Sequence, residues 1–257
     1  MAYGTGVFKW IRQPALGVLA RLCWVGKCQH TGAMTSAVIR KQFSADPPEH
    51  ISRYPVPYKK DLPYDIVELM EEVETKGGFL PNVFKVLAHR PSEFRAFFAY
   101  YNALMNKETG RLTKVDRELI VVATSIHNRC LYCVVSHSAL HRIYSKNPTL
   151  ADQVIVNYES AQLCPRDRAM LDFALAVCRS DTITDSHFQE LEVHGFDRED
   201  AWDIAAIASF FAMSNRLAHL TDMRPNDEFY SLGRVPRDKG KGEGEAPVRA
   251  NLTELKV

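Results

Sequence analysis

No run of apolar residues in this 257-residue chain is long enough to cross a bilayer. The one candidate, residues 15–26, is short and broken by Arg21, whereas a spanning helix needs about 20 mostly apolar residues. No stretch shows the polar–apolar alternation of a half-buried strand. Helix is the only repeated signal, so an all-α bundle is expected. Acidic residues are missing from residues 1–43, which hold Lys9, Arg12, Arg21, Lys27, Arg40 and Lys41. The formal net charge of +1 therefore leaves −5 for residues 44–257. A mildly acidic body argues against a nucleic-acid binder. Cysteine is scarce too: six residues with one CxxC pair do not make a disulfide framework.

The acid-free basic leader reads as a mitochondrial transit peptide with the matrix as its destination. A secretory signal competes, with residues 15–26 as its apolar region, but Arg21 interrupts that region and basic residues continue well past it. Lys41-Gln42-Phe43-Ser44 resembles a matrix-protease site that cuts after an aromatic residue, and cleavage there would remove Cys23 and Cys28. Residues 44–59 and their flank carry Pro47, Pro48, Pro55, Pro57 and Pro63, which suits an extended arm laid over a domain. Residues 60–234 then form the helical domain. Residues 235–257 are charged and Gly-rich and are expected to be disordered.

Within the domain the helical period is plain. Ile66, Val67, Leu69, Met70 and Val73 mark a first helix, closed by Gly77-Gly78. Pro81 opens a short helix and Pro91 a longer one, whose Phe94, Phe97, Phe98, Tyr101 and Leu104 read as core. Thr113 to Asp116 has the form of a capping box. Short helices are expected after Pro148 and Thr184, and a buried stripe after Pro165. Cys164 and Cys178 read as inert thiols on apolar helix faces. Asp197 to Leu220 is a last long helical segment with a polar break near Ser214-Asn215-Arg216. Its order of parts echoes the first half as a weak internal pseudo-repeat without a second CxxC.

The organising stretch is residues 116–141. An apolar helix opened by Glu118 ends at His127-Asn128-Arg129, and Cys130-Leu131-Tyr132-Cys133 begins the next helix. Cys130, Cys133 and His137 are spaced to share one helix face. A helix start favours a thiolate, a nearby His can move its proton, and a Glu can hold that His.

The pattern of Glu118, eleven residues, Cys130-x-x-Cys133, three residues and His137 resembles the AhpD-type alkylhydroperoxidases of the carboxymuconolactone decarboxylase superfamily. Gly78-Phe79-Leu80-Pro81-Asn82-Val83 and Leu87-Ala88-His89-Arg90-Pro91 are similar to that family's opening segment. Asn215-Arg216-Leu217-Ala218 and Asn226-Asp227-Glu228-Phe229-Tyr230 resemble its peroxidase-related subgroup, so the likeness spans roughly residues 60–233. The resemblance implies an AhpD-like helical bundle and a hydroperoxide substrate. It further implies an unidentified dithiol reductant, a homo-oligomer, and no cofactor or metal. It gives Cys133 the attack on peroxide, Cys130 the resolving role, and His137 with Glu118 the proton relay. Where some members have His before the second cysteine, this chain has Tyr132. His219 is a further accessory candidate if the two halves pack together.

Other readings stay open at this level. Cys130, Cys133 and His137, with His127 or His141, supply enough ligands for a structural zinc site. A thioredoxin-type exchange site would need a βαβ setting that the flanking sequence does not offer. Two plain core thiols beside a surface His are the simplest alternative. The superfamily also includes the sestrins, which act largely through partners, so a redox-sensing interaction protein is the rival to an enzyme.

Overall fold

The computed structural model describes residues 50–107 and 110–234. The basic leader, with its mitochondrial reading and protease site, and the polar tail of residues 235–257 lie outside the described residues. Among the described residues ten α-helices follow in order: α1 Tyr64–Gly77, α2 Asn82–Leu87, α3 Pro91–Met105, α4 Lys114–His127, α5 Leu131–Ser145, α6 Leu150–Asn157, α7 Pro165–Arg179, α8 Asp185–Val193, α9 Arg198–Thr221 and α10 Glu228–Ser231. No strand occurs among the described residues.

Helix α4 is the axis. Every residue from Asp116 to Ser125 is buried, and α5, α7 and α9 pack round it. Leu119, Ile120 and Val122 meet Met170, Leu171 and Ala174 of α7 and Ile204, Ile207 and Phe211 of α9 in one core cluster. Full burial of each large aliphatic side chain contributes roughly 1.5–3 kcal/mol. The expected capping box is present: Asp116 N donates to Thr113 Oγ1 at 3.2 Å and Thr113 N to Asp116 Oδ2 at 2.8 Å. Gly78 closes α1 in the left-handed region at φ 81°.

A second cluster joins α1 to α2 and α3 through Ile66, Met70, Val73, Phe84, Phe94 and Phe98. Phe84 and Phe98 stack at 4.3 Å. The opening and closing segments are pinned together across the chain. Asn226 Oδ1 accepts from Asn82 N at 2.7 Å, and Asn226 Nδ2 donates to Leu80 O at 3.1 Å. The arm is held to the end of α9, with Arg53 N donating to Thr221 O at 2.7 Å and Arg224 N to Ile51 O at 3.2 Å.

Two local expectations need correction. Cys164 is not a core thiol: it is exposed and N-caps α7, because Pro165 starts that helix and leaves its predecessor as the cap. Cys178 is buried. The segment at Ser214-Asn215-Arg216 does not break: α9 runs unbroken from Arg198 to Thr221. The echo between the halves therefore reaches the capping boxes of α4 and α9 but stops short of the dithiol turn.

His141 on α5 is fully buried, and neither ring nitrogen has a hydrogen-bond partner. Burial holds its pKa down to about 4, against an ordinary 6.5. The unfolded chain therefore takes up a proton that the folded chain refuses. Stability is kept above pH 6.5 and lost as pH falls from 6.5 towards 4. The expected loss between pH 7 and pH 5 is roughly 2 kcal/mol from this residue. Urea titration of wild type and His141→Leu at both pH values checks this. The variant should lack that part of the acid loss, and equal acid losses would refute it.

Candidate active site

The site is built at the α4–α5 turn. Arg129 adopts a left-handed conformation at φ 57°, and Cys130 N then donates back to Ser125 O at 2.9 Å. This bond closes α4 and sets Cys130 at the N-cap of α5. Cys133 N donates to Cys130 Sγ at 3.4 Å. Cys130 and Cys133 are both buried free thiols.

The two thiols shift each other's acidity. The Cys130 pKa is drawn down to about 6. The chief cause is a hydrogen bond from the Cys133 thiol, aided by the Cys133 backbone N–H, the charge of His219 and Asn215. The Cys133 thiol is pushed well above its ordinary value by its bond to Cys130 and by burial. The two shifts run in opposite directions, down for Cys130 and up for Cys133. Geometry adds a different asymmetry, because Cys133 lines a cavity of about 110 Å³ and Cys130 does not.

Glu118, one helical turn into α4, lies opposite α5, and its Oε2 is 2.7 Å from His137 Nδ1 with both residues buried. The ring of His137 stands edge-on to Phe211 at 4.8 Å. Cys130, Asn215 and Ser214 are the side chains that act on the Cys133 thiol. Tyr132 also lines the cavity, and its hydroxyl accepts from Val83 N at 3.1 Å. It therefore ties the dithiol turn to α2. Tyr132→Phe leaves that N–H without a partner and should cost about 1–3 kcal/mol in a denaturant titration. An unchanged midpoint would show that the tie carries no stability. His219 is exposed, with Nε2 2.7 Å from Asn128 O.

Sequence reasoning missed Ser214, Asn215 and Asn128 as site residues. Asn215 is fully buried. Its Nδ2 donates to Ser125 Oγ at 3.0 Å, and its Oδ1 accepts from Asn128 Nδ2 at 3.0 Å. The polar run inside an apolar helix was the available signal: its partner is the dithiol, not solvent. Among the described residues no group of three His, Cys, Asp or Glu side chains is arranged to hold a metal ion. His127 is exposed, and His141 is buried apart from the pair.

The remaining cavity walls are mostly apolar: Val73, Val83, Phe84, Phe97, Phe98, Tyr101, Leu140, Phe211 and Phe229. Some of the α3 aromatics expected as core thus also face the site. A buried dithiol, a nearby carboxylate–imidazole pair and an apolar cavity together suit two-electron thiol chemistry on an organic substrate.

The sequence profile of the carboxymuconolactone decarboxylase family matches residues 91–174. The fold is similar to that of an uncharacterized peroxidase-related protein with an alkylhydroperoxidase AhpD core, from Ralstonia eutropha JMP134. The two are 60% identical over 75% of this chain and 100% of that one, with a TM-score of 0.72. A second uncharacterized peroxidase-related protein, from Silicibacter sp. TM1040, is 38% identical over 74% of this chain and 100% of that one, with a TM-score of 0.69. The debrominase Bmp8 shares the fold at 20% identity, over 72% of this chain and 96% of that one, with a TM-score of 0.58. Comparison with curated proteins gives no match. The chain belongs to the AhpD-like carboxymuconolactone decarboxylase family.

Proposed function

We propose that the chain is a thiol-dependent peroxidase that reduces hydroperoxides through Cys133 and Cys130. The observation that carries this reading is the dithiol, with Cys133 at the edge of a cavity that also contains Glu118 and His137. Peroxide entering the cavity meets Cys133. The Cys133 proton passes along the existing hydrogen bond to the Cys130 thiolate, and the freed Cys133 thiolate attacks a peroxide oxygen. An S–O bond forms, the O–O bond breaks, and the departing alkoxide takes a proton supplied through His137 and Glu118. Cys130 then attacks the Cys133 sulfenic acid, and hydroxide leaves and is protonated to water. Two thiols and one hydroperoxide become one disulfide, one alcohol and one water. An external dithiol restores the pair by exchange.

This departs from the simplest sequence expectation in one respect. His137, one turn from Cys133, is expected from the sequence to move its proton; in this reading Cys130, which shares a hydrogen bond with Cys133, serves as the base and His137 as the donor to the leaving group. The test is hydroperoxide consumption by the purified protein with excess dithiothreitol. Sustained turnover supports the enzyme. Consumption that stops at one equivalent per chain refutes it in favour of a redox-sensing interaction protein.

A further inference from the structure

Helix α9 grips the turn ahead of the dithiol. Asn128 Nδ2 donates to Asn215 Oδ1 at 3.0 Å and to Cys178 Sγ on α7 at 3.3 Å. One turn further along α9, His219 Nε2 lies 2.7 Å from Asn128 O. Asn215 Nδ2 donates to Ser125 Oγ at 3.0 Å, and Ser125 O is the carbonyl that accepts from Cys130 N at 2.9 Å. The fully buried Asn215 side chain thus bonds two residues of the turn that sets Cys130 in place. Its two ends are not interchangeable. Asn128 presents an N–H to Oδ1, so the NH2 end is the one that meets Ser125. An amide nitrogen carries two hydrogens, of which Ser125 uses one.

We propose that Asn215 is a positioning residue for the dithiol, whose amide, locked by Asn128 and Ser125, gives its second hydrogen to the sulfurs and favours the reduced pair over the disulfide. The inference deepens the peroxidase reading, and its bearing on turnover rests on that reading. The bond from Cys133 is the chief cause of the low Cys130 pKa, and Asn215 adds to it. At Cys133 the bond to Cys130 and burial impose a rise, which Asn215 opposes. A group that acts downward on both thiols is a donor to sulfur. Such a donor binds a thiolate strongly and has no equal partner in the disulfide, whose sulfurs are uncharged and accept weakly. Regeneration consumes an external dithiol: a disulfide forms in the reductant, the Cys130–Cys133 bond breaks, and two electrons and two protons pass to the pair. Stabilising the reduced pair drives that exchange forward.

The test uses the full chain in two assays that contain no peroxide. One follows thiolate absorbance against pH, and the wave missing from Cys130→Ser is assigned to Cys130. The other measures the dithiol–disulfide equilibrium against reduced and oxidised dithiothreitol at pH 8. Asn215→Asp keeps the acceptor for Asn128 and can still bond Ser125, whose hydroxyl turns donor, but as a carboxylate it has no hydrogen for sulfur. It should raise the Cys130 midpoint, about 6 in the wild type, by about one pH unit. It should also shift the equilibrium about tenfold towards disulfide, or about 30 mV. Asn128→Ala, at a half-buried position, loosens the amide without adding a charge. It should move both readouts in the same direction by less, and it decides the matter even where Asn215→Asp does not fold. A midpoint or an equilibrium unchanged in Asn128→Ala, or in folded Asn215→Asp, overturns the role and leaves Asn215 a packing residue, whatever a peroxide assay shows. Both readouts shifted, in a protein that consumes no hydroperoxide, overturns the peroxidase and upholds the positioning.

Discussion

Cys133→Ser will lose hydroperoxide turnover by on the order of a thousandfold or more, as removal of a nucleophile generally does. Cys130→Ser will lose sustained turnover as well, but for a different reason. Its Cys133 can still be oxidised once, while the sulfenic acid formed has no neighbour to resolve it. Trapping with dimedone should therefore label Cys133 in Cys130→Ser and nothing in Cys133→Ser. Two opposing asymmetries are decided by this experiment. The lower pKa belongs to Cys130, at about 6, which as a thiolate fraction alone would make Cys130 the nucleophile. Access favours Cys133, since only that sulfur lines the cavity. In this account access prevails: the two sulfurs share a hydrogen bond along which the proton moves, and the sulfur that lines the cavity is the one that peroxide meets. Dimedone found on Cys130 in Cys133→Ser, with none on Cys133 in Cys130→Ser, would reverse the assignment.

The second large effect falls on the proton relay. Glu118→Gln keeps a side chain able to bond His137 but removes the carboxylate charge beside the ring. It should lower kcat by roughly a hundredfold, the lower range for general acid–base catalysis. Glu118→Leu removes the partner altogether. It leaves a buried imidazole without its 2.7 Å hydrogen bond and should cost stability as well, about 1–3 kcal/mol. The two variants separate chemistry from packing: the first should keep its denaturation midpoint and the second should not. A Glu118→Gln protein with wild-type kcat would remove the pair from the reaction.

Much of this architecture was legible in the sequence because it is set by local physics. The Thr113 box, the Gly78 stop and the Pro165 start are decided within a few residues, and each is found at its expected place. The dithiol at a helix start was legible for the same reason, since Asn128-Arg129 ends one helix and the Cys130 sulfur caps the next. What could not be read is decided by contacts distant in sequence. Ser214 and Asn215 look like a helix break because polar groups in an apolar run need partners, and theirs lie some 80 residues earlier in the chain. The pin between Asn82 and Asn226 spans 144 residues. His141 falls on the same helix as His137 and differs only in its surroundings, which leave it with no partner at all.

The central claim is that Cys130 and Cys133 act together on one peroxide. Its most direct test is to treat the reduced protein with one equivalent of hydroperoxide, block remaining thiols with an alkylating reagent, and map the cysteines by peptide mass spectrometry. The account predicts a Cys130–Cys133 disulfide, with Cys164 and Cys178 still alkylated as free thiols. Consumption of the hydroperoxide with Cys130 and Cys133 both recovered as alkylated thiols would contradict it.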